Sequence, residues 1–187
     1  TDFVISGDVF ENNQLLTYRF NVKSLSQDFL KFLDQLGIRP KTYAPATYSN
    51  ANFNFDVLGT LKHANIQPLT FTIDKTSANG YVEIMKNDRI DLSVLLNIDN
   101  INFDHYLPPF TEEEKKLSFD KRLNLVLNKL KFMQDYNIKS ESKIDLAIYH
   151  QFALEKINFQ INTTQDKIKV KKFNVENIND ANLDLSG

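Results

Sequence analysis

Few of the 187 residues could do chemistry by type and spacing. The three histidines, His63, His105 and His150, each stand alone, so no H-x-x-x-H or H-E-x-x-H pair offers a metal two ligands from one helix face. His105 lies in the polar run Asp104-His105-Tyr106 and His150 at the end of an alternating segment. Both read as packed or solvent-facing side chains. Cysteine is absent, which excludes thiolate catalysis, Cys-ligated zinc and disulfides together. Hydroxyls and carboxylates are plentiful, but no G-x-S-x-G elbow presents a nucleophile. The five glycines never take the G-x-G-x-x-G or P-loop spacing that cradles phosphate. Glu112-Glu113-Glu114 reads as a solvated helix start, where carboxylates favour the macrodipole. Lys167, Lys169, Lys171 and Lys172 read as a solubilising strand face. No enzyme, cofactor or metal is expected.

Charge narrows the partners further. A net charge of −2 and a pI near 5.9 give no basic footprint for nucleic acid. Lysine outnumbers arginine 18 to 4, so bidentate phosphate forks are scarce. The 21 asparagines read as the composition of an A/T-rich genome, without chemistry. No apolar run nears the ~18 residues that span a bilayer. The chain opens on Thr1 rather than methionine, and the expectation is a piece of a longer protein.

The elements that must position any site are mostly strands. Apolar and polar residues alternate through Phe53, Phe55 and Val57, through Leu69, Phe71 and Ile73, and through Ile90, Leu92 and Val94. The same alternation runs through Ile144, Leu146 and Ile148, and through Ile157, Phe159 and Ile161. Ile168 and Val170, then Phe173 and Val175, alternate with a phase change at Lys171-Lys172, the mark of a bulge or a strand end. Asn12-Asn13, Lys86-Asn87-Asp88 and Thr164-Gln165-Asp166 read as hairpin turns, and short connections predict antiparallel pairing. A weak repeat relates Gly7, Val9, Tyr18, Phe20 and Val22 to Gly80, Val82, Ile90, Leu92 and Val94.

Two segments carry helical spacing. Phe29, Leu30, Leu33 and Leu36 predict a helix over 24–37, stopped by Gly37. Thr111 and Glu114 have capping-box spacing, and Phe119, Leu123, Val126, Leu130 and Met133 predict a helix over 112–136. The expected fold is therefore α+β: a mostly antiparallel, curved sheet with one apolar face, partly covered by two helices. It forms one domain over 1–187, with a first hairpin module to about 110, a helix over 111–137 and a second strand series over 138–187.

Two helices cover such a face only in part. Leaving several Phe, Leu and Ile side chains wet at ~25 cal/mol per Å2 forfeits many kcal/mol, so uncovered apolar area marks a binding surface. The candidate residues are Phe53, Phe55, Leu69, Phe71, Ile73, Leu92, Val94, Ile157, Phe159 and Ile161. An acyl chain suits them, since it needs area without directional polar groups. The alternative is a structural or protein-binding β-domain closed by its own helices.

The run from Leu92 through Ile98, continued by Ile101, Phe103, Asp104, Tyr106, Leu107 and Pro108, resembles the strand and "L-D-L-D-x-Y-L-P" phrase of the AsmA-like family. Asn102 stands in place of the phrase's first Asp. Gly7-Asp8-Val9, the segment Ser26 to Gly37, and Lys143 to the closing Leu185-Ser186-Gly187 are similar to the family's other segments in the expected order. The segment Thr111–Lys131 is more charged than the linker usual there. The resemblance implies a non-enzymatic bacterial envelope protein, anchored in the inner membrane by a helix absent here, with its bulk in the periplasm. It further implies a β-groove that moves phospholipid between inner and outer membranes in outer-membrane biogenesis. Its implied partners are phospholipid acyl chains, the membrane through that anchor, and other envelope proteins.

Overall fold

A computed structural model describes residues 2–26, 28–35, 37–40, 43–44, 46–107, 111–118, 121, 136–149, 152–164, 167–178 and 181–186. Ten strands lie side by side in chain order. They are β1 (Asp2–Asn12), β2 (Leu15–Ser26), β3 (Ala51–Thr60), β4 (His63–Ile73), β5 (Thr76–Lys86), β6 (Ile90–Asn102), β7 (Asn137–Tyr149), β8 (Phe152–Thr164), β9 (Lys167–Ile178) and β10 (Ala181–Ser186). The helices bounded within the described residues are α1 (Phe29–Gln35), α2 (Phe103–Tyr106) and α3 (Glu112–Lys115).

Every neighbouring pair is antiparallel except β6 and β7, which run parallel. That exception follows from the connection. Residues 103–136 are long enough for the crossover that parallel strands require, whereas the hairpins turn within a few residues. At the β1–β2 turn Asn13 and Gln14 adopt φ of 48° and 64°, the left-handed pair that matches the twist of a two-residue hairpin. One sheet thus spans both the first hairpin series and the segment after residue 137.

The α+β expectation fails. Strand makes up 72% and helix 10% of the described residues, so these residues form a mostly β, open sheet, and two covering helices are not found among them. Residues 24–26 pair with β3 as the end of β2, and α1 begins only at Phe29. Asp28 starts it, its carboxylate accepting the Lys31 N–H at 3.1 Å. Seven residues make a helix about 10 Å long, against about 43 Å for ten strands side by side. Of the helix expected over 112–136, the structure describes the capped turn α3, where Thr111 and Glu114 close the capping box. Residues 119–120 and 122–135 lie outside the described residues.

The core sits toward one side of the sheet. Ile144, Ala147, Ile157 and Val175 are its buried members, with Ile98, Ile101, Phe103, Phe159, Phe173 and Leu183 packed around them. Elsewhere the chain is thinly covered. It exposes 12,842 Å2, where a compact monomer of its 21.7 kDa would expose about 9,200 Å2.

Candidate functional site

Residues opposed across a ladder share a face, as do alternate residues along a strand. The registers therefore define rows that cross the whole sheet. One row runs from Phe3 through Ser24, Phe53, Phe71, Ala78, Ile98, Ile144, Ile157 and Val175 to Leu183. Ser24 is its only polar member. The next runs from Ile5 through Val22, Phe55, Leu69, Gly80, Leu96, Ser142, Phe159 and Phe173 to Leu185. A third carries Phe20, Val57, Ile66, Val82, Val94, Ser140, Ile161 and Val170. Close packing at Gly80 is obligatory, because a Cβ built there would overlap the Leu95 carbonyl.

Phase changes keep these rows apolar. In β4 the apolar step from Ile66 to Leu69 spans Gln67 and Pro68, and the ladder shifts there. Proline lacks the N–H a ladder position would need. In β9 the step from Val170 to Phe173 spans Lys171 and Lys172, again at a shift. The phase change legible in the sequence is thus a bulge inside one strand. Further along, four strands step by three together, since Ile101, Ala147, Leu154 and Ile178 oppose one another in turn. Lys156 takes φ of 52° beside this step. The result keeps Ala147 in the same core cluster as Ile144.

All ten candidate residues share this face, although they do not share one environment. Ile157 is 3% exposed and belongs to the core, so it faces no ligand. Phe159 packs against that core. Phe53 lies under α1, its ring 5.6 Å from Phe29 and 6.3 Å from Phe71. Ile73 closes the face beside Ala51 and Thr76. Phe55, Leu69, Leu92, Val94 and Ile161 are half-buried on the sheet itself. Sequence reasoning missed Phe3, Ile5, Val22, Val57, Val82 and Leu96, which share their rows. The alternation of Phe20 with Val22 was the available signal.

Cover is confined to the margins among the described residues. Over β1–β3, α1 brings Phe29 and Phe32 onto the face, with Phe32 4.9 Å from Phe3. The Ser24 hydroxyl is buried in this region with no hydrogen-bond partner. At the other margin Phe103 of α2 caps the core cluster.

A carboxylate fastens this cover. Asp74 accepts from the Tyr48 N–H at 2.7 Å, the Ser49 N–H at 2.8 Å, the Ser49 hydroxyl at 2.9 Å and the Asn50 N–H at 3.2 Å. The Tyr106 hydroxyl of α2 adds a fifth at 3.2 Å. Burial alone would raise the Asp74 carboxyl, but the bonds from Asn50, Tyr48 and Ser49 outweigh it and hold the group below its ordinary value. Burial, then the charge of Asp74, pushes the Tyr48 and Tyr106 hydroxyls up. An acceptor kept ionised at neutral pH beside two neutral phenols acts as a clamp. It ties residues 48–50, the β4–β5 turn and α2 together, while α1 hangs from the same loop through Phe29 N–H to Ser49 C=O at 3.0 Å.

The reverse face is polar, and here the asparagines gain a role. Lys23, Asn54, Thr70, Asn79, Asn97, Lys143, Asn158, Asn174 and Asp184 form one row across nine strands. Asn97 donates to Asn79 along it at 3.2 Å. A shallow hollow of about 510 Å3 lies on this side, bordered by Asn52, Asn54, Thr70, Asn79, Asn97 and Asp99. The asparagines therefore solvate one side of a single layer.

The sequence's other chemical candidates stay scattered. His63 pairs with Glu83 at 2.9 Å, His105 sits beside the Asn102 amide at 3.3 Å, and His150 lies outside the described residues. Among the described residues no three His, Cys, Asp or Glu side chains gather as a metal would need. Nor is any described helix long and apolar enough to cross a membrane.

Fold and site together define an open, all-β sheet, apolar on one side and asparagine-rich on the other. No family model, curated protein or solved structure matches the chain.

Proposed function

We propose that the apolar face receives acyl chains, and that the protein is a non-enzymatic lipid-handling module of the AsmA-like kind. In this reading it works in the periplasm, held to the inner membrane through a longer parent protein. There it passes phospholipid toward the outer membrane. The observation that carries the proposal is the run of apolar rows across all ten strands, covered among the described residues only by α1 over β1–β3 and by the core cluster over β7–β9. Wet apolar area of that extent is costly at ~25 cal/mol per Å2, and a hydrocarbon chain relieves it without demanding polar partners. Organic extraction of the purified protein followed by mass spectrometry tests this. Phospholipid or fatty acid at a near-stoichiometric ratio is the expected result. Lipid-free protein that also fails to bind a fluorescent fatty acid would rule the reading out.

One observation favours the alternative of a closed structural domain. Val175 and Ala147 are fully buried, so the face is closed over β7–β9. In the proposed function that closed part is the rigid wall from which the open part extends.

A further inference from the structure

One hydroxyl on the apolar face has nothing to bond. Ser24 is 5% exposed, and its Oγ is the buried side-chain polar atom left without a partner among the described residues. Thr17, Thr47 and Thr163 are comparably buried. Each of their hydroxyls donates to a main-chain carbonyl, of Leu15 at 3.3 Å, Ala44 at 2.9 Å and Tyr136 at 2.8 Å. Ser24 stands between Phe3 and Phe53 in its row. Over it the rings of Phe32 and Phe29 lie 6.1 Å apart, the first 4.9 Å from Phe3 and the second 5.6 Å from Phe53. Phenylalanines thus frame a single unpaired hydroxyl. Leaving it so is costly, and an alanine would fill the same place in the row without that cost.

A group that completes this hydroxyl must accept a hydrogen bond and carry no charge, because the nearby cations point elsewhere. Lys23 lies in the polar row of the reverse face, and Lys31 of α1 is exposed. Arg39 is exposed as well and pairs with Asp34 at 2.7 Å. A carboxylate buried among the rings would therefore stay uncompensated, whereas a neutral carbonyl needs only the one donor. We infer that the Ser24 hydroxyl donates to the carbonyl oxygen of an ester-linked acyl chain, placing the polar end of that ligand under α1. The hydrocarbon then runs from Phe53 across β4–β6, past Phe71 and Leu69. For the carbonyl to enter, α1 must lift. Its main chain is tied to the neighbouring loop through its first turn, Phe29 N–H to Ser49 C=O at 3.0 Å and Leu30 N–H to Tyr48 C=O at 2.9 Å. It can swing about that end with the Asp74 clamp intact. The inference rests on the lipid-handling reading and adds the linkage and direction of the bound chain.

The test compares Ser24→Ala with the parent. The ligands are a medium-chain methyl ester and the n-alkane of matching heavy-atom count, each displacing a fluorescent fatty acid. The ratio of ester to alkane affinity should fall about fivefold in the variant, the worth of one hydrogen bond. The melting temperature should stay level or rise, because alanine leaves no hydroxyl buried and unpaired. A purely structural serine would not move the affinity ratio, so an unchanged ratio would overturn the inference while leaving acyl binding in place. A variant melting more than about 4 °C below the parent would overturn it too, since the hydroxyl would then have a partner within the protein. Ester and alkane that both leave a bound probe in place would sink the inference alone. If the parent binds neither the probe nor either ligand, the lipid-handling reading itself fails and takes the inference with it.

Discussion

Truncating two apolar side chains at distant points of one face separates an open surface from a closed core. Ile157→Ala removes a side chain that is 3% exposed and packed among Ile144, Ala147 and Val175. Such a truncation costs about 3 kcal/mol, the lost transfer energy plus a cavity. For a chain of this length that lowers the melting temperature by about 6–12 °C. Phe55→Ala removes a half-buried ring flanked across the ladders by Val22 and Leu69. Half of a phenylalanine's burial is about 1 kcal/mol, or about 2–4 °C. The exposed half is what an acyl chain would cover, so its loss should weaken a fluorescent fatty acid about fivefold. Ile157→Ala, measured below its melting range, should leave that affinity within about twofold, since Ile157 touches no ligand. The assay is thermal melting followed by fatty-acid titration of parent and both variants. If Phe55→Ala melts as low as Ile157→Ala, the face is closed at Phe55. If both variants bind fatty acid as the parent does, the chain lies elsewhere. Either result refutes the reasoning.

Other perturbations reach the supports of the face. Asp74→Asn keeps the size of the clamp but cannot accept all five of its hydrogen bonds, and should destabilise by about 1–2 kcal/mol at pH 7. Because the Asp74 carboxyl is held below its ordinary value, its contribution is present above the unfolded carboxylate pKa of about 3.9. That contribution fades as pH falls through the folded value. Melting curves should therefore show parent and variant converging in acid, and a gap that widens there would contradict the clamp. Gly80→Ala drives a methyl into the Leu95 carbonyl and should cost about 1–3 kcal/mol, read as a lower urea midpoint at unchanged slope. An unaltered midpoint would mean that β5 and β6 separate there without cost.

Much of the strand content was legible because each half-buried strand writes its own alternation. Phe53, Phe55, Leu69 and Phe71 fell on one face as their spacing required. What one strand cannot encode is its register against the next. The asparagine row is the clearest case. Asn54, Asn79, Asn97, Asn158 and Asn174 sit on five different strands, and nothing in the sequence of any one of them says that they align. Read singly they were composition; read across the ladders they are a surface. The helix expected over 24–37 starts later, at Phe29, for a related reason. Ser24, Leu25 and Ser26 carry no strong preference, and pairing with β3 overrode the weak helical pattern before Phe29.

The same limit explains why the depth of the face was misjudged. Ile157, Phe159 and Ile161 alternate as cleanly as Phe53, Phe55 and Val57, and alternation reports a side, not a depth. Depth comes from what lies on top. Over β7–β9 the strands change phase together at Ile101, Ala147, Leu154 and Ile178, so side chains from two levels converge with Phe103 on one cluster. Each strand read alone shows only a broken period at that point, as between Leu154 and Ile157, and a broken period looks like the end of a strand. Four such breaks aligned by register make a closed core instead. Across β2–β6, past Phe55, Leu69 and Leu96, no such convergence occurs among the described residues. Breaks confined to one strand, as at Gln67-Pro68 of β4, leave the apolar row intact, whereas breaks aligned across four strands gather side chains into a core.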